Sequence, residues 1–101
     1  MASSKEYLDF VLEQCGSLSA RVMMGEYILY YDGKVVGGIY DNRLLVKPTP
    51  SAVALLPDAA RAFPYQGAKE MLLVEEIENR DFLNKLFEVM YEELPAPKKK
   101  K

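Results

Sequence analysis

Histidine is absent from this 101-residue chain, and no other feature of the sequence removes as much chemistry. Serine triads, cysteine–histidine dyads and ordinary zinc sites all lose their usual base or ligand. Cysteine occurs once, at Cys15, so no internal disulfide can form, which fits a reducing compartment. With no histidine to activate it, Cys15 reads as a buried helix thiol; a reactive thiol is the alternative. No apolar run approaches the roughly 20 residues that cross a bilayer, and "MASSKEYLDF" lacks the basic start and apolar core of a signal peptide. The expectation is a cytoplasmic protein.

A basic surplus is lacking too. The formal charge is −2, yet four of the thirteen basic residues are Lys98–Lys101. Without them nine basic residues face fifteen acidic ones, a balance of −6. Proteins that read nucleic acid carry a basic stripe that displaces counterions from phosphate. An acidic body argues against direct, sequence-specific DNA binding. The "PAPKKKK" tail could touch nucleic acid or acidic membrane by screened charge; its simpler reading is a disordered, solubilising tail or an expression remnant.

No phosphate-cradling glycine loop is present either: "GGIYDNR" has no lysine–serine ending. Gly37-Gly38 instead marks a bulge, or a place where another backbone or a large side chain packs closely. Carboxylates cluster at Glu75, Glu76 and Glu78 and at Glu88, Glu92 and Glu93. Glu88 and Glu92 stand one helical turn apart, which reads as a solvated acidic face ahead of a paired acid–base site. No catalytic residue, cofactor or metal is expected, and the chain reads as a non-enzyme.

What the chain does have is an ordinary soluble composition, 50% apolar and 28% charged, in a length that fits one domain and buries about two-thirds of its unfolded surface. Ser3 and Glu6 form a candidate capping box for a first helix, whose Tyr7, Phe10, Val11 and Cys15 recur at helical spacing. Gly16 offers a left-handed stop. From Val22 the pattern turns to β-branched and aromatic residues. Asp32-Gly33 between two apolar runs is a strong hairpin signal, and a second tight turn falls at Tyr40–Arg43. Strands are therefore expected at about 26–31, 34–40 and 43–47, with a short one at Val22–Met24 before them. Thr49 and Pro50 open a short helix with Val53, Leu55 and Leu56 on its apolar side, ended by Pro57. "DAARAFPYQGAK" reads as a helical turn and a loop, Met71–Val74 as a further strand. Asn79 caps a last helix carrying Phe82, Leu83, Leu86, Phe87, Met90, Tyr91 and Leu94. The fold class is α+β: an antiparallel meander of about four to five strands, packed with N-terminal and C-terminal helices and a short middle helix. The domain spans residues 1–94, with a disordered basic tail at 95–101.

The strands are apolar in both alternation classes. Tyr27, Leu29 and Tyr31 share one face, and Ile28 and Tyr30 the other; a sheet with one wet face would alternate apolar with polar. Either helices cover both faces or another protein covers one, and with only about two long helices some tyrosine-rich surface is left for a partner. Tyr27, Tyr30, Tyr31 and Tyr40 are the candidate partner-binding residues, because tyrosine packs its ring while keeping its hydroxyl wet. Equally open is that these tyrosines shield their own core.

"RVMMGEYILYYDGKVVGGIYDNRLLVK", Arg21 to Lys47, resembles the opening of the TfoX (Sxy) N-terminal domain. That family has an arginine, a methionine-phenylalanine-glycine step, an apolar strand, an aspartate-glycine hairpin and a strand leading to "LYLK". The matching positions are Arg21, Met23-Met24-Gly25, Tyr27–Tyr31, Asp32-Gly33-Lys34 and Leu44–Lys47. "FPYQGAKEMLLVEEIENRDFLNKLFEVM" looks like the family's later strand and closing helix. Met24 replaces the usual phenylalanine, and Glu26 a common second glycine. Arg21, Met23, Met24, Gly25, Asp32 and Gly33 are thus structural motif positions, and the motif carries no catalytic signature. The resemblance implies a small bacterial domain of the kind found in competence regulators, which act with a cyclic-AMP-responsive transcription factor on DNA-uptake genes. The full regulators carry a second, C-terminal helical domain, and this chain looks like a stand-alone version. The expected function is a protein-interaction module with a protein partner, a transcription factor or a second copy in a homodimer. The alternative is a small-ligand-binding or enzymatic domain using the tyrosines and carboxylates.

Overall fold

The computed structural model describes residues 4–23, 26–64 and 67–94. Met24 and Gly25 of the motif, the candidate cap Ser3 and the lysine tail lie outside the described residues. Among the described residues the elements run α1 (Lys5–Gln14), β1 (Leu18–Met23), β2 (Glu26–Tyr31), β3 (Lys34–Ile39), β4 (Leu44–Val46), α2 (Pro50–Leu55), β5 (Arg61–Ala62), β6 (Met71–Val74) and α3 (Arg80–Tyr91). The strands form one antiparallel sheet in the order β1-β2-β3-β4-β6-β5. The α+β class, the meander and the terminal helices are as the sequence implied, with six strands in place of four to five.

Both tight turns take the left-handed geometry that their residues permit. Asp32 and Gly33 have φ of 52° and 91°, and Asp41 and Asn42 have 56° and 57°. Two such residues in succession twist the chain the way the flanking strands twist, which keeps a two-residue hairpin in register. Tyr40 and Arg43 close the second turn by exchanging N–H···O bonds of 2.9 and 3.0 Å.

The helices cover one face of the sheet. Leu8 and Val11 from α1, and Leu83, Leu86, Phe87 and Met90 from α3, join Leu29, Val36, Ile39, Leu44, Val46, Leu72 and Val74 in a single buried cluster. The caps are local chemistry: Asn79 Oδ1 accepts the Phe82 N–H at 3.1 Å and Thr49 Oγ1 the Ala52 N–H at 3.2 Å. Tertiary contacts complete them. Glu93, just past α3, receives the Ser51 hydroxyl at 2.6 Å and the Ser51 N–H at 3.0 Å, placing a carboxylate at the N-terminus of α2. Lys34 Nζ donates to the Tyr91 carbonyl at 2.9 Å, at the same C-terminal end of α3.

Several expectations are corrected. The cap of α1 is Ser4, whose Oγ accepts the Tyr7 N–H at 3.1 Å. The Ser4 N–H in turn donates to Asn42 Oδ1 in the distant β3–β4 turn at 2.8 Å, and the Ser3–Glu6 capping box falls on Ser3, outside the described residues. Gly16 is not left-handed; α1 ends at Gln14, and the chain leaves it extended at Cys15, which drops that side chain into the core. The thiol is 3% exposed, as the buried reading of Cys15 required. β1 starts at Leu18, four residues before the apolar pattern changes, because Ser19 and Arg21 occupy its far face. In α2 the buried residue is Ala52, and Val53 is exposed. Arg61-Ala62 are a strand, not part of a helical turn: the open edge of β6 recruits them through ladder bonds that outweigh local alanine propensity.

Candidate functional site

The register divides the sheet residues between two faces. Leu18, Ala20, Tyr27, Leu29, Tyr31, Ile39, Leu44 and Leu72 fall on the helix side. Ser19, Arg21, Met23, Glu26, Ile28, Tyr30, Val35, Gly38, Leu45 and Leu73 fall on the other. A bulge between Leu29 and Tyr30 sets Val36 as the extra residue of β3 and returns both alternation classes to step beyond it.

The four candidate tyrosines are therefore split. Tyr27 and Tyr31 pack against the core. The Tyr31 ring lies 5.8 Å from Phe87 and 6.1 Å from Tyr91, edge-on to the latter, and Lys34 Nζ sits 4.0 Å from the Tyr91 ring centre. This aromatic group ties the first hairpin to the end of α3. Burial, with smaller contributions from Cys15, Glu88 and Asp32, pushes the Tyr31 hydroxyl above its ordinary pKa of 10.0. Burial does the same at Tyr7, partly offset by a hydrogen bond with the Leu44 backbone. At Glu93 the two Ser51 bonds hold the carboxyl below its ordinary 4.5.

Tyr30 and Tyr40 face the opposite way. Tyr40 is nearly covered, 8% exposed, because its ring lies on Gly38: a Cβ there would stand 2.6 Å from the ring and 2.6 Å from the Tyr27 carbonyl oxygen. At Gly37 a Cβ would run into the Leu45 carbonyl of β4. The double glycine thus serves both purposes expected of it, close backbone approach at one residue and a seat for a large ring at the next. Leu45 is fully buried although it is outside the main core, so part of this face is covered as well.

Between the covered part and the β1 edge lies a groove of 480 Å³. Met23, Ile28, Val35, Tyr40, Pro48 and Met71 supply its apolar lining, and Lys47, Lys69 and Glu70 its charged side chains. Pro64 and Ala68, from the connection between β5 and β6, line it from above the sheet. Alternation placed Ile28 and Tyr30 on this face. Val35 could have been found by the same rule once the bulge was located, and Met71 opens the expected strand at Met71–Val74, whereas Pro64 and Ala68 had no sequence signal, since a returning loop leaves no period. Arg21 is exposed on the same face beside Ile28, and Met23 lines the groove. Asp32 and Gly33 are confined to their turn.

The carboxylates do not converge. Glu75, Glu76, Glu78, Glu88, Glu92 and Glu93 are all exposed, and among the described residues no group of three or more acidic or thiol side chains is placed to hold a metal ion.

A model of the TfoX N-terminal domain matches residues 11–89. The chain belongs to the TfoX N-terminal domain family. It is also 40% identical, over its whole length and 91% of the relative's, to an uncharacterized 12.7 kDa protein in the trpE 5′ region of Spirochaeta aurantia. No solved structure gives a significant match. Of the motif residues that the structure describes in this TfoX-type domain, Arg21 and Met23 lie in the edge strand β1 and Asp32-Gly33 form the turn that follows Tyr31.

Proposed function

We propose that this TfoX-type domain is a non-enzymatic, cytoplasmic protein-interaction module that binds a protein partner of the transcription machinery through the outer face of its sheet. The observation that carries the reading is the groove: an apolar strip over β1–β3 whose Ile28 and Val35 stay partly exposed, with Tyr30 partly exposed on the same sheet face, in a histidine-free chain whose clustered glutamates are exposed and dispersed. Tyrosine beside aliphatic side chains at an open apolar strip is the composition of a contact centre. The acidic body supports a protein partner over DNA itself, as does the transcription-factor association of competence regulators.

Affinity capture from native extract tests this, with Tyr30→Glu and Val35→Glu as paired variants. The wild type should retain a transcription factor that both variants lose while keeping the wild-type circular dichroism spectrum. Equal retention by folded variants would remove the outer face from the function. Sub-micromolar binding of a defined duplex by residues 1–94 at about 150 mM salt, tighter than non-specific affinity, would overturn the non-DNA reading.

The groove volume also favours a second reading, a small-ligand site, since such sites occupy about 300–1,000 Å³. A metabolite-dependent rise in melting temperature that Val35→Glu abolishes would select it.

A further inference from the structure

The two ends of the sheet are not protected alike. β5 closes one end with two residues, too short to template another strand. β1 closes the other with six residues, "LSARVM", which contain no proline and no lysine, the usual means of blunting an edge. Val22 and Met23 on it are 66% and 42% exposed.

The direction of its backbone groups follows from one hydrogen bond. The Asp32 N–H donates to the Ser17 carbonyl at 3.1 Å, so Ser17 and Asp32 form a hydrogen-bonded pair, continuous with the register that sets Leu18 opposite Tyr31. In an antiparallel pair such positions alternate. Ser19, Arg21 and Met23 therefore bond to β2, and Leu18, Ala20 and Val22 point their backbone groups away from the sheet. The Leu18 N–H is spent on the Cys15 carbonyl at 3.2 Å. The N–H and C=O of Ala20 and of Val22, and the Leu18 carbonyl, remain turned outward.

We infer that β1 pairs with β1 of a second copy, antiparallel and with the two-fold axis at Ala20, joining two sheets into one. The unspent groups specify this register. Ala20 exchanges two bonds with Ala20 of the second copy, and each Val22 N–H donates to the Leu18 carbonyl across the axis, leaving the occupied Leu18 N–H undisturbed. Val22 then faces Leu18 of the second copy on the helix side, and Arg21 faces Ser19 on the other. Moving the axis to Arg21 would also form ladder bonds, but it sets the two guanidinium groups directly opposite, a like-charge pair that destabilises a ladder. Symmetric pairing is the commonest assembly of small proteins. The inference rests on the edge and not on the outer-face groove, so either can fail alone.

Sedimentation of the full chain should show a dimer at micromolar concentration. Val22→Pro removes only an outward N–H and Val22→Lys places a charge on the edge; both should be monomeric and folded. Arg21→Pro, which deletes a bond to β2, should instead lose the fold. Ala20→Cys should give a disulfide dimer on mild oxidation. Ser19→Cys and Arg21→Cys should each fail to cross-link alone but should do so when mixed. A monomeric wild type, or a dimer that survives Val22→Pro, overturns the edge pairing. Self-cross-linking of Arg21→Cys without that of Ala20→Cys overturns the register. Partner capture by monomeric Val22→Pro would leave the proposed function standing whichever way the edge experiment falls.

Discussion

Phe87→Ala is the sharpest test of how the sheet and α3 hold together. Phe87 is fully buried, and its ring meets Tyr31 at 5.8 Å, so truncation empties a space bounded by both layers. The chain cannot easily collapse into it, because Tyr31 is held by the first hairpin and by Tyr91. The expected cost is about 3–5 kcal/mol, from lost transfer energy and the residual cavity. A domain of this size has a total stability of about 5–15 kcal/mol. The melting temperature should fall by at least roughly 12 °C, at about 4 °C or more per kcal/mol for a chain near 100 residues. Urea unfolding should show a lower midpoint with an unchanged slope, since the surface exposed on unfolding hardly alters. Phe82 provides the internal comparison. It is only half-buried against the core, so Phe82→Ala should cost about half as much, in proportion to the apolar area withdrawn from water. A Phe87→Ala protein that melts within a few degrees of wild type, or a larger loss at Phe82, would refute this account of the core.

Gly38→Ala should destabilise by about 1–3 kcal/mol, because the new methyl meets the Tyr27 carbonyl and the Tyr40 ring together; chemical denaturation measures it, and a neutral result would mean that Tyr40 does not lie on the sheet. Gly33→Val forces a β-branched residue to the φ of 91° in the hairpin and should cost about 1–2 kcal/mol, with a matching gain in the unfolding rate if the hairpin forms late. Glu93 has its folded pKa depressed by Ser51; its contribution is therefore present above the ordinary carboxyl pKa and lost as pH falls through the depressed one. The stability difference between wild type and Glu93→Gln, seen at neutral pH, should shrink once the pH falls below 4.5 and vanish only below the depressed value. Tyr31 has the opposite sign. Its folded pKa lies above 10.0, so its share of stability is intact below that pH and is lost as pH rises through the raised value; Tyr31→Phe should flatten the alkaline limb of the melting curve.

By itself the sequence determined the parts whose causes are local. Asp32-Gly33 and Asp41-Asn42 accept positive φ, and Thr49 and Asn79 carry side-chain oxygens that reach the next helical turn. The spacing of Leu83, Leu86, Phe87 and Met90 makes one apolar stripe. Each follows from the residues alone, and each stands where it was expected. Strict alternation likewise separated Ile28 and Tyr30 from Leu29 and Tyr31 before any neighbour was known.

The tertiary structure decided whatever needed a partner far along the chain. Asn42 ties the start of α1 to the β3–β4 turn by accepting the Ser4 N–H, β5 exists because β6 had an edge to fill, and Val36 is buried because a bulge opposite Leu29 shifts β3 by one residue. The same holds for the candidate surface. Tyrosine at Tyr27, Tyr30, Tyr31 and Tyr40 has the same chemistry in every case, but Tyr27 and Tyr31 fall beneath the helices, Tyr40 closes over Gly38, and Tyr30 stays partly open beside the groove. A side chain's type says what it can contact. Only the packing of the opposite layer and the path of a returning loop settle whether that contact is its own core or another molecule.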